Sequence, residues 1–434
     1  MVFGGFDISN WFGLTNGKFF GEPPAYVDKT KLPGMSEIPT ATFLGWLTNT
    51  PFVLINSPNF VWASMSLVLY NFAPYDLSSS SSAALSPISY NFLNERLRLW
   101  IPTVIGYFGF WHTTLHFLNY SSRPFIANRN YNIQKVVHNM FWTLSGVCIW
   151  TLYENVFCYL WASGRLPYIS DAITFSGTTN GNLYLLAALM GVPVWRSVHF
   201  YFAHRFLHFG PLYQQVHSLH HRNTDIEPFS GLCMHPIEHL YYYACVAPSL
   251  VFYCSPYAFF WNGLHLLFSP AAGHSGYEDH FQSDAFHYMH HRYFECNYAG
   301  GDAGFMDVLF GTFRSSMQGD GDSDGPKPRE DAKSTLLTIP TFEFVVYLTL
   351  SLACFGVTAN YIHSDLTKLQ IAGFSALTGF GPTFLAVIIS RLFGKGQLMK
   401  QTSMTSTGYA IHILGGSILC ALPVSYATWL TLQS

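Results

Sequence analysis

The chain has 434 residues, of which 50% are hydrophobic, 18% aromatic and only 10% charged, where soluble domains carry roughly 25% charged residues. Its net charge of −3 offers no basic face, which argues against a nucleic-acid partner. Mean hydropathy is +0.21 and the apolar residues gather in long runs, so the expectation is an all-α polytopic membrane protein.

The N-terminal residues 1–41 are rich in Gly, Pro and polar groups and lack a basic stretch followed by an apolar one, so no cleaved signal peptide is expected. Cysteines lie mostly in apolar runs without a CxxC pair, which fits small buried hydrophobes better than a disulfide framework. A spanning helix needs about 20 mostly apolar residues. Candidate runs lie at 43–73, 99–118, 136–162, 183–203, 238–268, 336–361, 370–393 and 407–431. Pro51 and Pro58 interrupt the first, leaving its later part as the span. The run 238–268 is too long for one crossing and contains Pro248 and Pro256, so it reads as a helical hairpin that enters and returns. Residues 318–333, QGDGDSDGPKPREDAK, form a Gly/Asp-rich linker. The domain reading is therefore an N-terminal tail with one or two membrane helices (1–129), a histidine-rich core (130–315), a linker (316–335) and three further membrane helices (336–434).

Three histidine clusters occupy the core. HRFLH places His204 and His208 at HxxxH spacing; HSLHH supplies His217, His220 and His221; HYMHH supplies His287, His290 and His291. Residues three and four apart share a helix face, and Gly210-Pro211 stops the first helix so that the first two clusters can face each other. If all three face the cytosol, Arg123, Arg129, Lys135, Arg205, Arg222, Arg292, Arg314, Lys327, Arg329, Lys333, Arg391, Lys395 and Lys400 are cytosolic. Only Arg96, Arg98, Arg165 and Lys368 are then lumenal, the asymmetry that the positive-inside rule expects.

Neutral imidazole is the commonest nitrogen ligand for iron, zinc and copper. Eight rings exceed the four ligands of a tetrahedral zinc and suit two metal ions held close together. The bland alternative, rings bonded to headgroups or to each other, crowds eight titratable groups without a metal. His274 in GHSGY is a candidate ninth ligand. His235, Glu238 and His239 in HPIEH either orient ligands from outside or cap and anchor a helix. His199 lies about 140° round the helix from His204, which suits an outer or structural role rather than ligation. His265 and His280 have no supporting spacing. Asp279, Asp302 and Asp307 are carboxylates that spacing does not rank. The Glu-x-x-His pairs of soluble di-iron bundles, HExxH and GxSxG are all absent. An all-histidine dimetal site beside a membrane points to oxygen activation on an apolar substrate.

At these residues the chain resembles the membrane-bound fatty acid hydroxylase / sterol desaturase superfamily, whose HxxxH, HxxHH and HxxHH boxes match HRFLH, HSLHH and HYMHH. HHRNTDIEPFSGLCMHPIEH, GHSGY and HHRYFECNYAGGDAGFMDVLFGTF are similar to flanking segments of its sterol-acting members. The likeness covers about residues 130–315. It implies a non-haem di-iron enzyme of the endoplasmic reticulum, using O2 and electrons from NAD(P)H through cytochrome b5 or a reductase. A sterol C5-desaturase or C4-methyl oxidase is the leading implied activity; fatty acyl, carotenoid or alkylglycerol hydroxylation is the alternative. The resemblance carries the ligand role to His204, His208, His217, His220, His221, His287, His290 and His291, with His274 as the further one. Two departures stand out: Ser197 and His199 occupy a region where many members place an Asp, and no cytochrome b5 domain is fused. A zinc-dependent lipid hydrolase and a non-catalytic lipid- or metal-binding membrane protein are the rival readings.

Overall fold

A computed structural model describes residues 58–314, apart from short stretches at 82–85, 119–123, 127–130, 209–211, 278–282 and 301–302. The N-terminal tail, the linker and the three C-terminal helices expected from the sequence lie outside the described residues, as do Asp279, His280 and Asp302. The described residues are helical, with one isolated bridge between Pro124 and Tyr277 and no strand.

Helix α1 (Pro58–Phe72) is followed by α2 (Tyr90–His112), capped by Ser89 and prolonged by a π-helical turn to Phe117. α2 starts before the apolar run expected at 99–118, and it carries Arg96 in its second turn. That charge is tolerated because it is neutralised inside the protein. Arg96 pairs with Glu154 at 3.0 Å and donates to Ala73 O at 3.0 Å. Glu154 also accepts from Tyr75 OH at 2.6 Å and Trp100 Nε1 at 2.8 Å. A buried ion pair is tolerable only when its remaining donors and acceptors are met this way.

α3 (Ile133–Ala162) begins at Asn132, whose side chain accepts the Lys135 N–H at 3.2 Å. α4 (Thr179–Leu207) begins at Thr178 by the same device. It ends in the first histidine box, so one helix carries the chain from an apolar face to ligand-bearing side chains. Among the described residues α4 is the one helix long and apolar enough to cross a membrane. Val68 and Phe72 on α1, Phe110 on α2, Phe141 on α3 and Leu183 and Leu186 on α4 are exposed, while Arg96, Glu154 and Asn155 are buried. Large apolar side chains left exposed around a core that holds paired charges are the pattern that lipid favours and water penalises.

The run 238–268 is built as two limbs. The first comprises α5 (Pro236–Tyr243) and the short turns Ala244–Val246 and Pro248–Val251; the second is α6 (Pro256–Gly273), capped by Ser255 with Pro256 at its first position. The limbs run antiparallel, since Tyr242 OH donates to Leu266 O at 2.9 Å while Cys245 Sγ lies 3.7 Å from Asn262 Oδ1. Pro270 explains the first bond. It has no N–H to give the carbonyl four residues earlier, so Leu266 O is free for Tyr242. Nearly every side chain of α6 is buried, which makes it the central strut of the fold. α7 (Ser283–Tyr293) and the short α8 (Phe305–Leu309) complete the described chain.

Candidate metal centre

The structure gathers all nine of the candidate ligand rings in two groups. His204, His208, His217, His221 and His290 form the first; His220, His274, His287 and His291 form the second; within each, ligand atoms lie within 4.8 Å of one another. All nine are buried. The division follows from helical spacing. Each i, i+4 pair shares a face, so 204/208 and 217/221 enter the first group and 287/291 the second. The third histidine of each HxxHH box, His220 or His290, sits one residue before a member of its pair and is turned to the opposite group. The two boxes thus interlock, and each group takes rings from both. His217 ends a π-helical turn, Tyr213–His217, a distortion frequent at functional sites.

Outer hydrogen bonds set the orientation of the rings. His204 Nδ1 donates to Tyr298 O at 2.9 Å, His274 Nδ1 to Pro270 O at 2.8 Å, His290 Nδ1 to Cys296 O at 2.6 Å and His217 Nδ1 to Glu238 Oε1 at 2.7 Å. Carbonyl and carboxylate oxygens only accept, so these Nδ1 atoms carry the proton and each neutral ring turns a bare Nε2 lone pair inward. Burial keeps the rings neutral: it drives His217 down to about 3 and His220 to about 4, and neighbouring rings add to the lowering at His221, His287 and His291.

Those inward nitrogens are crowded. In the first group Nε2 of His217 and His208 are 3.1 Å apart, His221 and His217 3.0 Å, and His290 and His221 3.0 Å. In the second group His274 Nε2 lies 2.9 Å from His291 Nε2 and 3.3 Å from His220 Nε2. One Nε2–H proton can serve only one such contact, whereas His221 Nε2 lies 3.0–3.1 Å from three others, those of His208, His217 and His290; a cation among them meets the remaining lone pairs. With metal–nitrogen bonds of roughly 2.0–2.1 Å, neighbouring ligands fall roughly 2.8–3.0 Å apart at right angles and roughly 3.3–3.4 Å apart in a tetrahedron. The observed spacings fall between these values, so the donor set fits two nitrogen-ligated metal ions. Five donors in one group exceed what a structural zinc site uses and suit a metal of higher coordination number.

The residues weighed for outer roles separate. Glu238 reaches the first group through His217. His235 accepts from Ile237 N at 3.2 Å and caps α5. His239 is buried, packed against Gly146 and stacked on Tyr243. His199 is buried beside Trp195 and outside both groups. His265 bonds Asn59 at 2.7 Å.

Asp307 acts at a greater distance. Its carboxylate accepts from Tyr298 N at 2.8 Å, Ala299 N at 2.9 Å and Thr312 Oγ1 at 2.7 Å, although burial pushes it up to about 7. It pins the loop whose carbonyls at Cys296 and Tyr298 orient His290 and His204.

A further set escaped the sequence reading. His112 Nδ1 donates to Glu227 Oε2 at 2.9 Å, and Glu227 Oε1 accepts from Asn139 at 2.8 Å. His116 Nε2 donates to Ser275 O at 2.7 Å, next to the ligand candidate His274. These groups brace the loops around the second cluster. Their signal was present as a further HxxxH, HTTLH at 112–116. Gly231 belongs to the same brace: a Cβ there would lie 2.3 Å from Pro270 O, the oxygen that orients His274.

Residues 189–312 match the family model for fatty acid hydroxylase. The chain is 29% identical over 138 residues to methylsterol monooxygenase 1 of Gallus gallus, covering 30% of this chain and 46% of that protein. It is 28% identical over 133 residues to a Delta(7)-sterol 5(6)-desaturase of Gibberella zeae (29% and 41%). A putative methylsterol monooxygenase of Dictyostelium discoideum is 29% identical over 140 residues (30% and 52%). The chain thus spans about half the length of the curated relatives that it matches. No solved structure matches it.

Proposed function

From the fatty acid hydroxylase domain that residues 189–312 form, we propose that the chain is a membrane-bound, O2-dependent oxidoreductase that hydroxylates or desaturates a lipid, with a sterol as its substrate class. The observation that carries the reading is the convergence of nine buried rings in two groups at ligand spacing. The sterol assignment leans on the printed activities of the relatives, methylsterol monooxygenase and sterol desaturase.

In this proposal His204, His208, His217, His221 and His290 hold one iron and His220, His274, His287 and His291 the other. Bound iron supplies the O2 activation that attack on an unactivated C–H bond requires. The chain's own part is to hold, orient and exclude water. Tyr298, Cys296, Pro270 and Glu238 fix ring orientation from outside. Phe200, stacked 4.5 Å from His204, and Phe294, 4.9 Å from His221, cover the rings with apolar surface. Electrons come from NAD(P)H through a separate cytochrome b5 or reductase. In this proposal the protein is a multi-pass protein of the endoplasmic reticulum with its histidines toward the cytosol, a reading that the basic residues around the boxes support.

The test is turnover by the full-length protein in nanodiscs with a reductase system, followed by sterol and fatty-acid profiling with and without O2. A product that needs both O2 and reductant supports the reading. Lipid hydrolysis that proceeds without either would replace it with zinc-type chemistry.

A further inference from the structure

Arg196 lies on α4 two turns before His204, and it is 8% exposed. A guanidinium stays charged and carries five N–H donors. Here Nη2 donates to Tyr242 OH at 3.1 Å, and among the described residues Nε has no partner and no carboxylate pairs with the group. The faces of Phe200 and Tyr242 lie 4.6 and 5.6 Å from its Cζ, which shields the cation without meeting its donors. The same fold shows how a structural arginine is treated: Arg96, equally buried, has Glu154, Ala73 O and the Tyr75 ring. A buried cation that no carboxylate among the described residues meets is costly inside a membrane protein, and such residues mark ligand sites.

Two more observations converge on this spot. Ser197 Oγ is fully buried and has no partner among the described residues. Arg196 and Ser197 both border Gly300, where a Cβ would lie 2.9 Å from Arg196 Nη1 and 2.6 Å from Ser197 Oγ. The spot is also close to the metal centre. The Phe200 ring that Arg196 covers lies 4.5 Å from the His204 ring and 6.1 Å from the His287 ring, so a single aromatic side chain separates the guanidinium from a member of each group.

We propose that Arg196 and Ser197 bind an oxygen-bearing end group, a carboxylate or a hydroxyl, of the lipid that the histidine centre oxidises. The oxidised carbon then lies only a short way from that oxygen, because one aromatic ring spans the gap. This rests on the oxygenase reading for the identity of the centre, while the binding site itself is independent of turnover.

The experiment uses the iron-loaded full-length protein in nanodiscs without reductant, so that nothing turns over. Binding of radiolabelled palmitate is compared with that of hexadecane, and binding of cholesterol with that of cholestane. Wild type is expected to prefer the oxygenated member of one pair by about tenfold or more, the scale of a hydrogen bond to a charged group; the pair that responds tells carboxylate from hydroxyl. Arg196→Met abolishes the preference with iron content unchanged. Ser197→Ala, which removes a hydroxyl bonded to nothing among the described residues, lowers it about two- to tenfold and serves if Arg196→Met fails to accumulate. Equal binding within both pairs overturns the proposal, as does a preference that survives the substitutions. Failure of wild type to hold iron strikes the oxygenase reading instead, and the lipid comparison is then made on the metal-free protein with the same expected outcome.

Discussion

Replacing Glu238 by Ala tests how the outer hydrogen bonds support the centre. Glu238 Oε1 and His217 Nδ1 are 2.7 Å apart, with side chains 2% and 1% exposed, so no water stands ready to substitute. Burial pushes Glu238 up to about 8, so its bond to His217 is worth the neutral-pair figure of about 0.5–1.5 kcal/mol in the metal-free protein, while loss of such outer partners costs about 10–100-fold in metal affinity. Glu238→Ala is therefore expected to weaken one of two iron sites by about 10–100-fold, while the site built on His220, His274, His287 and His291 shifts less. Glu238→Gln keeps an acceptor for Nδ1–H and loses less. The assay is anaerobic equilibrium dialysis of Fe(II) against the full-length protein, fitted to two sites. Unchanged affinity at both sites in Glu238→Ala would refute the orienting role.

Further outcomes follow from the same geometry. Asp307→Asn sets an amide N–H2 against the backbone donors of the 298–299 loop; a loss of about 1–3 kcal/mol in stability and reduced iron at the first group are expected by thermal melting and metal analysis, and an unaltered melt would count against the clamp. Gly231→Ala places a Cβ 2.3 Å from Pro270 O and should cost about 1–3 kcal/mol through overpacking, with looser binding at the second group; a wild-type melting curve would show that the close approach is dispensable. In the metal-free protein His217 and His220 titrate at about 3 and about 4 when folded, against about 6.5 unfolded. The unfolded chain therefore binds protons first as pH falls. Stability is full above pH 6.5 and falls progressively toward pH 4 and below, by up to about 3 kcal/mol for His220 and about 5 kcal/mol for His217. Denaturation of the metal-free protein that is flat from pH 7 to 4 would contradict this.

Much of the site was legible because ligand spacing and helix geometry share one period. HRFLH, HSLHH and HYMHH each announced a face, and the two prolines within 238–268 announced a turn that brings His274 and His287 back to His220. The sharing of rings between groups was not legible. Spacing shows that His220 and His221 diverge, but not that His220 joins His287 and His291 while His290 joins His204; that depends on how three elements dock. His112, His116 and Glu227 were missed although HTTLH has the right spacing, because it lay at the end of an apolar run far from the other boxes in sequence. Glu238 was equally compatible with a cap, and only the position of His217 across from it decides otherwise. The start of α2 was placed late because Arg96 reads as a solvated charge until Glu154, 58 residues away, is seen to face it.

The most direct test of the central claim is the iron content of the full-length protein, purified anaerobically and measured by mass spectrometry beside His221→Ala and His291→Ala. Each variant removes one ring from a different group. The account predicts about two iron ions per wild-type chain and loss of about one in each variant. Iron below one per chain in wild type, or variants that keep the full complement, would contradict it.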